Sequence, residues 1–308
     1  MLYQTYADSL RNKYGTKVYK LPLSIAGTCP NRDGTLGTGG CTFCGARGAG
    51  FENLSAELTV TEQLRKNMDY IGKRYGAEKF IAYFQSYTNS YLPQEQFRSC
   101  MEEAAGFGPQ IVEVCISTRP DCIGDPYLKI LQSVRERYGT DVSVELGLQS
   151  SNAHTLKRIN RGHGVAGFID AVQRIHRMGF EVCAHVILNL PWDNDTDAEE
   201  TADLLSVLGV EQVKLHSLYI EKETEMARQY EAGQFEIISE EQYEERVIRF
   251  LERISSGMAV QRLVSRAPAE NTLFCNWGMS WWRIRDQILQ KMEERGSFQG
   301  KHCRFPGK

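Results

Sequence analysis

The sequence predicts an α/β fold built around a parallel β-sheet. Six short runs of apolar, β-branched or aromatic residues alternate with segments of helical periodicity, and turn residues or charges bound each run. Runs such as IVEVCIS and VCAHVIL are apolar at nearly every position, which is typical of parallel strands covered by helices. The strands recur at intervals of about thirty residues, so right-handed crossovers build either a doubly wound sheet or a barrel.

The elements follow one another in a regular order, beginning with an amphipathic helix at residues 2–13. The predicted strands are residues 17–25, 79–84, 111–117, 142–148, 181–188 and 212–220. The predicted helices between them are residues 61–75, 93–105, 126–138, 165–178 and 196–208. Beyond residue 220 the pattern changes to charged helices at 224–231 and 239–254, with one more strand near 260–264. No linker separates this part, so residues 221–308 are predicted as an α-rich extension packed on residues 1–220.

Composition and charge place the chain among ordinary globular proteins. It has 308 residues, of which 42% are hydrophobic and 24% charged, and these values exclude disordered and fibrous proteins. The net charge of −3 creates no overall basic field, so contact with nucleic acid would need a local basic patch. No apolar run of about 18 residues is present and the first residues are polar, so we expect a cytoplasmic protein without a membrane span.

Three of the nine cysteines crowd into one loop after the first strand. Residues 26–50 contain Cys29, Cys41 and Cys44 together with eight glycines, whose backbone freedom lets a loop wrap around a compact inorganic group. Soft thiolates bind zinc or iron-sulfur clusters, and a structural zinc needs a fourth ligand that this loop does not contain. Three cysteines can instead hold a [4Fe-4S] cluster and leave one iron open. A zinc knuckle with a distant fourth ligand is the alternative.

The loop resembles the cluster loop of radical S-adenosylmethionine enzymes, with Phe43 preceding the last cysteine. The usual first gap of that family is three residues, whereas here it is eleven. This departure resembles a bacterial branch related to the elongator-type, tRNA-modifying group. Further matches are YFQSYTNSY at 83–91, STRPDC at 117–122, ELGLQS at 145–150, LKRINRGHG at 156–164 and VKLHSLYI at 213–220.

The resemblance implies a partial (β/α)6 TIM-like barrel that carries a [4Fe-4S] cluster and binds S-adenosylmethionine at the open iron. Reductive cleavage would then yield a 5'-deoxyadenosyl radical that abstracts hydrogen from the substrate. A small electron donor protein of the flavodoxin or ferredoxin type would supply the electron. The substrate implied by the elongator-like relatives is tRNA, with the side chain of a wobble uridine as the target.

The resemblance also implies contacts to the S-adenosylmethionine. Gln85 stands where the family has a Gly-Gly-Glu segment, and Glu145 is an acid within an apolar strand, which is costly unless the acid is paired or functional. Either Arg158 or Arg161 is expected to bind the methionyl carboxylate, and the backbone of Leu188 to pair with the adenine. The full set of expected cofactor contacts is Phe43, Gln85, Ser117, Glu145, Gln149, Ser150, Arg161 and Leu188.

Three further residues are candidates for direct contact with the substrate. Lys214 and His216 alternate with apolar neighbours on the sixth strand, so both should point into the barrel. A single histidine on a strand is more often a core residue than an acid or base, so its catalytic role stays open. Cys122, just after the third strand, is the third candidate, as a hydrogen donor.

The C-terminal tail is both aromatic and basic. It contains Trp277, Trp281, Trp282, Arg283, Arg285, Lys291, Arg295, Lys301, His302 and Arg304. Such a segment can stack on bases and bind phosphates, or its tryptophans can close the open side of the barrel. Two functions therefore remain: a radical enzyme acting on tRNA, and a non-catalytic, metal-stabilised module that binds nucleic acid or a protein partner.

Overall fold

The computed structural model describes residues 1–45 and 53–305 and contains a curled sheet with helices on its outer face. Its strands are β1 Val18–Leu23, β2 Lys79–Phe84, β3 Ile111–Thr118, β4 Asp141–Gln149, β5 Glu181–Ile187, β6 Gln212–His216, β7 Tyr219–Glu221, β8 Ala259–Arg262 and β9 Thr272–Cys275. Seven of them form a parallel sheet in the order β1-β2-β3-β4-β5-β6-β8, and β7 pairs with β9 in an antiparallel ribbon. This half-barrel confirms the predicted α/β fold.

The helices follow the strands in the predicted alternation. They are α1 Tyr6–Tyr14, α2 Val60–Tyr75, α3 Gln94–Ala105, α4 Asp125–Tyr138, α5 Ala153–Arg158, α6 Val165–Arg177, α7 Asp195–Val207, α8 Glu225–Glu231, α9 Glu240–Arg253 and α10 Trp281–Glu294. Glycine in the left-handed conformation ends α1, α2 and α4 at Gly15, Gly76 and Gly139. Across the described ranges, none of these helices is long and apolar enough to cross a membrane.

Two elements differ from the sequence prediction. The predicted strand at 212–220 is divided into β6 and β7, because the Leu218 backbone N–H leaves the ladder and donates to Asn189 Oδ1 at 2.6 Å. The sheet has seven strands rather than six, since β8 from the C-terminal part pairs in parallel with β6. The domain division at residue 220 stays a prediction.

One face of the sheet is apolar and the other is polar, because side chains alternate between the two faces along each strand. Leu21, Phe84 and Leu146 are fully buried in one hydrophobic core together with helical residues such as Phe97 and Phe168. Burial of each such side chain contributes about 1.5 to 3 kcal/mol. The opposite, concave face carries a polar set, namely Lys20, Tyr83, Ser117, Glu145, His185 and Lys214. The outer layer therefore supplies the stability, and the inner face is left for chemistry.

The N-terminal segment connects the two edges of the sheet. Thr5 forms a parallel bridge with Val260 of β8, whose N–H donates to Gln4 O at 2.9 Å. Lys20 of β1 donates to Gln261 Oε1 at 3.0 Å, which joins the edges a second time. Leu10 of α1 packs with inward-facing residues of β1 to β3, so this helix covers one end of the curled sheet.

The C-terminal helices pack on the sheet and on each other. Ile284, Ile288 and Met292 place one face of α10 in the main core, and Lys291 Nζ lies 2.8 Å from Glu244 Oε2 of α9. Trp277 Nε1 donates to Ile238 O at 2.9 Å and its ring packs near Tyr243. Trp277, Lys291 and the apolar face of α10 therefore take part in internal packing, which agrees with the alternative that this part of the tail packs on the barrel.

We expect the Tyr14→Phe substitution to weaken the attachment of α1 to the end of the sheet that it covers. The Tyr14 hydroxyl lies 2.8 Å from both Glu113 Oε2 and Asp141 Oδ2, and the Glu113 side chain is 1% exposed. Loss of this donor at a buried carboxylate should lower the free energy of unfolding by about 1 to 3 kcal/mol, measured by urea denaturation. The control, Tyr70→Phe, removes an exposed hydroxyl and should leave the midpoint unchanged. Equal effects of the two variants would contradict the role of α1.

Candidate functional site

A cavity of about 490 Å³ opens at the carboxyl ends of the parallel strands. The loop after β1 forms one side of the cavity, and residues of β2 to β6 and β8 form the others. In α/β folds this edge of the sheet is where ligands bind, because the loops that follow the strands converge there. The cavity is therefore the first candidate for a functional site.

The cysteine loop is fixed by hydrogen bonds to the segment that follows α5. Asn31 Nδ2 donates to Asn160 O at 2.5 Å, and Asn160 Nδ2 donates in return to Gly40 O at 2.8 Å. The Thr42 N–H donates to Ile159 O at 3.0 Å. The motif LKRINRGHG therefore holds the cysteines in place. The end of the predicted loop, residues 46–50, lies outside the described residues.

An arginine lies beside each cysteine sulfur of this loop. The distances are 4.0 Å from Arg119 Nη1 to Cys29 Sγ, 3.4 Å from Arg161 Nη1 to Cys41 Sγ and 3.3 Å from Arg32 Nη1 to Cys44 Sγ. Burial raises the pKa of Cys44 to about 11, and Arg32 opposes this shift. Guanidinium groups favour the thiolate form, which is the form that ligates metals.

A glycine makes room for the arginine beside Cys41. Arg161 donates to Gly147 O through Nε at 3.2 Å and Nη2 at 2.7 Å. A Cβ at Gly147 would lie 2.4 Å from Nη2 of the same arginine, so any larger residue would displace the guanidinium. The glycine of the ELGLQS motif is thus explained by close packing.

The three loop sulfurs are not arranged at the spacing of a tetrahedral zinc site. A tetrahedral zinc with Zn–S bonds of about 2.3 Å places its sulfurs about 3.8 Å apart. Within residues 1–45 and 53–305, Glu145, Cys183 and His185 form the one trio of candidate metal ligands whose atoms all lie within 4.8 Å of one another. At least one pair of the three loop sulfurs is therefore more than 4.8 Å apart, which is wider than a tetrahedral zinc requires. The Glu145 trio is an unsuitable cation site because two lysines already contact its carboxylate.

The floor of the cavity is a hydrogen-bonded network around Glu145, whose side chain is fully buried. Lys20 Nζ donates to Oε1, while Lys214 Nζ donates to Oε2 at 3.1 Å. The Tyr83 hydroxyl donates to Oε2 at 2.6 Å, and His185 Nε2 lies 2.7 Å from the same oxygen. Burial alone would raise the pKa of Glu145, but Lys20 and Lys214 hold it well below its ordinary value. Glu145 is thus a carboxylate with both oxygens engaged.

Two histidines and an arginine extend this network towards β8. Burial lowers the pKa of His185 to about 4 and shifts the pKa of His216 well below its ordinary value. Arg262 Nη2 donates to His216 Nδ1 at 2.5 Å, which requires that nitrogen to be unprotonated. Both imidazoles are therefore neutral near pH 7.

The structure brings most of the predicted site residues together. The lining of the cavity includes Cys29, Cys41, Cys44, Phe43, Gln85, Ser117, Glu145, Gln149, Arg161, Lys214 and His216. Lys214 and His216 face inward, as strand alternation indicates. The roles predicted for these residues towards S-adenosylmethionine stay predictions.

Three predicted residues are not brought to the cavity. Ser150 is buried outside the cavity lining, and its hydroxyl accepts from the Asn152 N–H at 2.9 Å. The Leu188 N–H donates to His216 O, and its carbonyl accepts from Arg246 Nη1 at 2.8 Å, so both backbone groups expected to meet the adenine are engaged. Cys122 turns towards Asp121, and burial raises the pKa of its thiol to about 12.

Several cavity residues were not predicted from the sequence. Tyr83 and His185 of the lining, and Lys20 beneath it in contact with Glu145, each occupy an alternate position in an otherwise apolar strand, which is the signal that identified Glu145. Arg32 and Arg119 lie within motifs already recognised, three residues after Cys29 and two after Ser117. Arg262 carried no such signal, because its strand was only weakly indicated.

We expect Glu145→Gln to destabilise the fold strongly. The neutral amide leaves Lys20 and Lys214 buried without a counter-charge, and removal of one partner from a buried ion pair typically costs about 3 to 5 kcal/mol. Urea denaturation measures the loss. Glu95→Gln, on the exposed side of α3, is the matched control and should unfold as the parent does. An unchanged midpoint for Glu145→Gln would show that the network does not stabilise the barrel.

Comparison with known proteins identifies the family. Residues 24–205 match the Radical SAM superfamily and residues 210–294 match the Radical SAM C-terminal domain. The uncharacterized protein YtqA of Bacillus subtilis is 36% identical over 300 residues, which cover 97% of this chain and 92% of that protein.

The chain is also similar to two archaeal proteins, one by structure and one by sequence. The solved structure of Elp3 from the archaeon Methanocaldococcus infernus superimposes with a TM-score of 0.67 at 18% sequence identity. The superposition covers 92% of this chain and 64% of the Elp3 chain, and it shows that the two proteins share a fold. A protein named tRNA uridine(34) acetyltransferase from the same organism is 27% identical over 189 residues, 60% of this chain and 34% of that protein. The chain spans less than two thirds of either protein. Because more than half of its residues match the family model, this chain belongs to the Radical SAM superfamily.

Proposed function

We propose that this chain is a radical enzyme in which Cys29, Cys41 and Cys44 hold a [4Fe-4S] cluster and the cavity binds S-adenosylmethionine. The observation that carries this proposal is the set of three loop thiols, each beside an arginine, at the mouth of the strand-end cavity. Three thiolates leave one of four irons without a cysteine ligand. When bound, the cluster supplies the electron that cleaves S-adenosylmethionine and so starts radical chemistry on the substrate.

The chain's own residues hold and enclose these groups. Arg32, Arg119 and Arg161 place positive charge at the three sulfurs and favour the thiolates. Phe43, Gln85, Ser117 and Gln149 line the same cavity and offer an aromatic face, two amides and a hydroxyl to the adenosyl and methionyl parts. The apolar layers beneath the strands keep water from reaching the cavity through the sheet.

We further propose that the substrate is tRNA, with the side chain of a wobble uridine as the target. Support comes from the archaeal relative whose name describes activity on tRNA uridine(34). Of the predicted tail, Trp281 and Trp282 are 37% and 53% exposed, and Arg283 beside them is exposed as well. We assign these three neighbouring exposed residues to tRNA contact. A flavodoxin- or ferredoxin-type protein would supply the electron.

We predict that single Cys29→Ala, Cys41→Ala and Cys44→Ala variants lose the cluster. Anaerobically purified parent protein should contain about four irons and sulfide per chain and should release 5'-deoxyadenosine from S-adenosylmethionine under reducing conditions. The matched controls Cys275→Ala and Cys303→Ala should keep the full iron content. One zinc per chain, or full iron in Cys41→Ala, would contradict the proposal, and the zinc result would favour a non-catalytic binding module.

We predict that the Trp281→Ala, Trp282→Ala, Arg283→Ala triple variant binds tRNA more weakly. Loss of one phosphate contact should reduce the slope of log affinity against log salt by about one. Lost stacking should weaken binding further by about 1 to 3 kcal/mol per base. The control is Arg295→Ala, since Arg295 is held by Glu245 at 2.6 Å. Parental tRNA affinity and salt slope in the triple variant would exclude this surface.

A further inference from the structure

The part of the cavity formed by β6 and β8 contains more positive than negative charge. Lys214 and Arg262 line it, and the carboxylate beside them, Glu145, is shared between Lys214 and the neighbouring Lys20. His185 and His216 are neutral and do not alter this balance. Because the lysine side chains are only 16% and 11% exposed, water screens the excess charge weakly.

Arg262 contributes most of this imbalance. Its Nη2 donates to His216 Nδ1 at 2.5 Å, and its Nε donates to Leu215 O at 3.3 Å. Across residues 1–45 and 53–305 it has no carboxylate within the 4.0 Å that defines an ion pair. A guanidinium has five N–H donors in a planar fork, so several of them remain for a ligand.

Lys214 lies beside Arg262 in the sheet and points into the same cavity. The two residues are paired in register between β6 and β8. Lys214 donates to the Tyr83 hydroxyl at 2.9 Å and to Glu145, which fixes its ammonium at the cavity floor. Burial lowers the pKa of Lys214 and of Arg262, so both cations are held in a site that disfavours them. An anion between them would remove that cost.

This subsite is distinct from the arginines at the cysteine loop. Arg32, Arg119 and Arg161 each lie beside a sulfur, and Arg119 is also paired with Asp121 at 2.7 Å. Those three cations have negative partners once the thiols are ionised. Arg262 and Lys214 lie on other strands, and their excess charge is not explained by the cluster.

We infer that Arg262 and Lys214 form a subsite for an oxyanion, a carboxylate or phosphate group, of the molecule on which the radical acts. This inference rests on the proposed function, because it assigns the bound oxyanion to the substrate of the radical reaction. The His216 ring fixes the guanidinium, and Tyr83 fixes the ammonium, so the two cations are held ready for a small anion at the inner end of the cavity. The substrate would then be oriented by its charged group with its reacting carbon towards the cluster loop.

The test measures anion binding without any radical chemistry. The thermal unfolding midpoint of anaerobically purified protein is followed while acetate or inorganic phosphate replaces chloride at constant ionic strength. An anion that binds only the folded state raises the midpoint in proportion to its affinity. We expect one of the two probes to stabilise the parent more than chloride does, with acetate indicating a carboxylate and phosphate indicating a phosphate group.

Variants decide whether the stabilisation comes from this subsite. Arg262→Gln should weaken binding of the effective probe and so raise its apparent dissociation constant by about tenfold or more. Lys214→Met should do the same and leaves Glu145 paired with Lys20, so it serves if Arg262→Gln fails to fold. Arg137→Gln, whose side chain is 66% exposed, should respond as the parent does. No stabilisation beyond chloride, or equal stabilisation in all variants, would overturn the inference. Since S-adenosylmethionine is absent, this result is independent of whether the parent cleaves it.

Discussion

The burial of one carboxylate, Glu145, organises the interior of this barrel. A charge removed from water must be paired and hydrogen-bonded, and here the partners come from strands across the sheet. Lys20 reaches it from β1, Tyr83 from β2, His185 from β5 and Lys214 from β6. A shift in the register of any of these strands would separate its side chain from the carboxylate. The network therefore fixes how the strands are aligned as well as the floor of the cavity.

At the mouth of the cavity, the glycine-rich cysteine loop is held in place by hydrogen bonds to another segment of the chain. The hydrogen bonds from Asn31 and Asn160 attach the cysteine loop to the turn after α5, and Arg161 in that turn contacts Cys41. The same short segment thus positions the loop and supplies charge to one of its sulfurs. The long segment between Cys29 and Cys41 is held both by this turn and by hydrogen bonds within the loop, such as that from the Gly40 N–H to Asn31 O at 2.8 Å.

The fold, and the three cysteines proposed to hold the cluster, could be recognised in the sequence because their signals are local. The alternation of strands and helices, and the spacing of Cys29, Cys41 and Cys44, need no knowledge of distant contacts. The same alternation marked Glu145 as inward-facing, but its partners lie 40 to 125 residues away, and no local pattern pairs them. Leu188 could not be judged locally either, because Arg246 of α9 occupies its carbonyl. Ser150 follows Gln149, which adopts a left-handed φ of 76° and interrupts the regular strand.

The bridge between the N-terminal segment and β8 sets an order on folding during synthesis. Gln4 donates to the side chain of Gln299, 295 positions later, and Thr5 meets Val260. A growing chain therefore exposes the free edge of β6 until β8 has left the ribosome. Unpaired edges invite pairing with other chains, so this interval is the period of greatest aggregation risk. The pairing of β8 with β6, and with it the arrival of Arg262 at the cavity, therefore comes late in the synthesis of the chain.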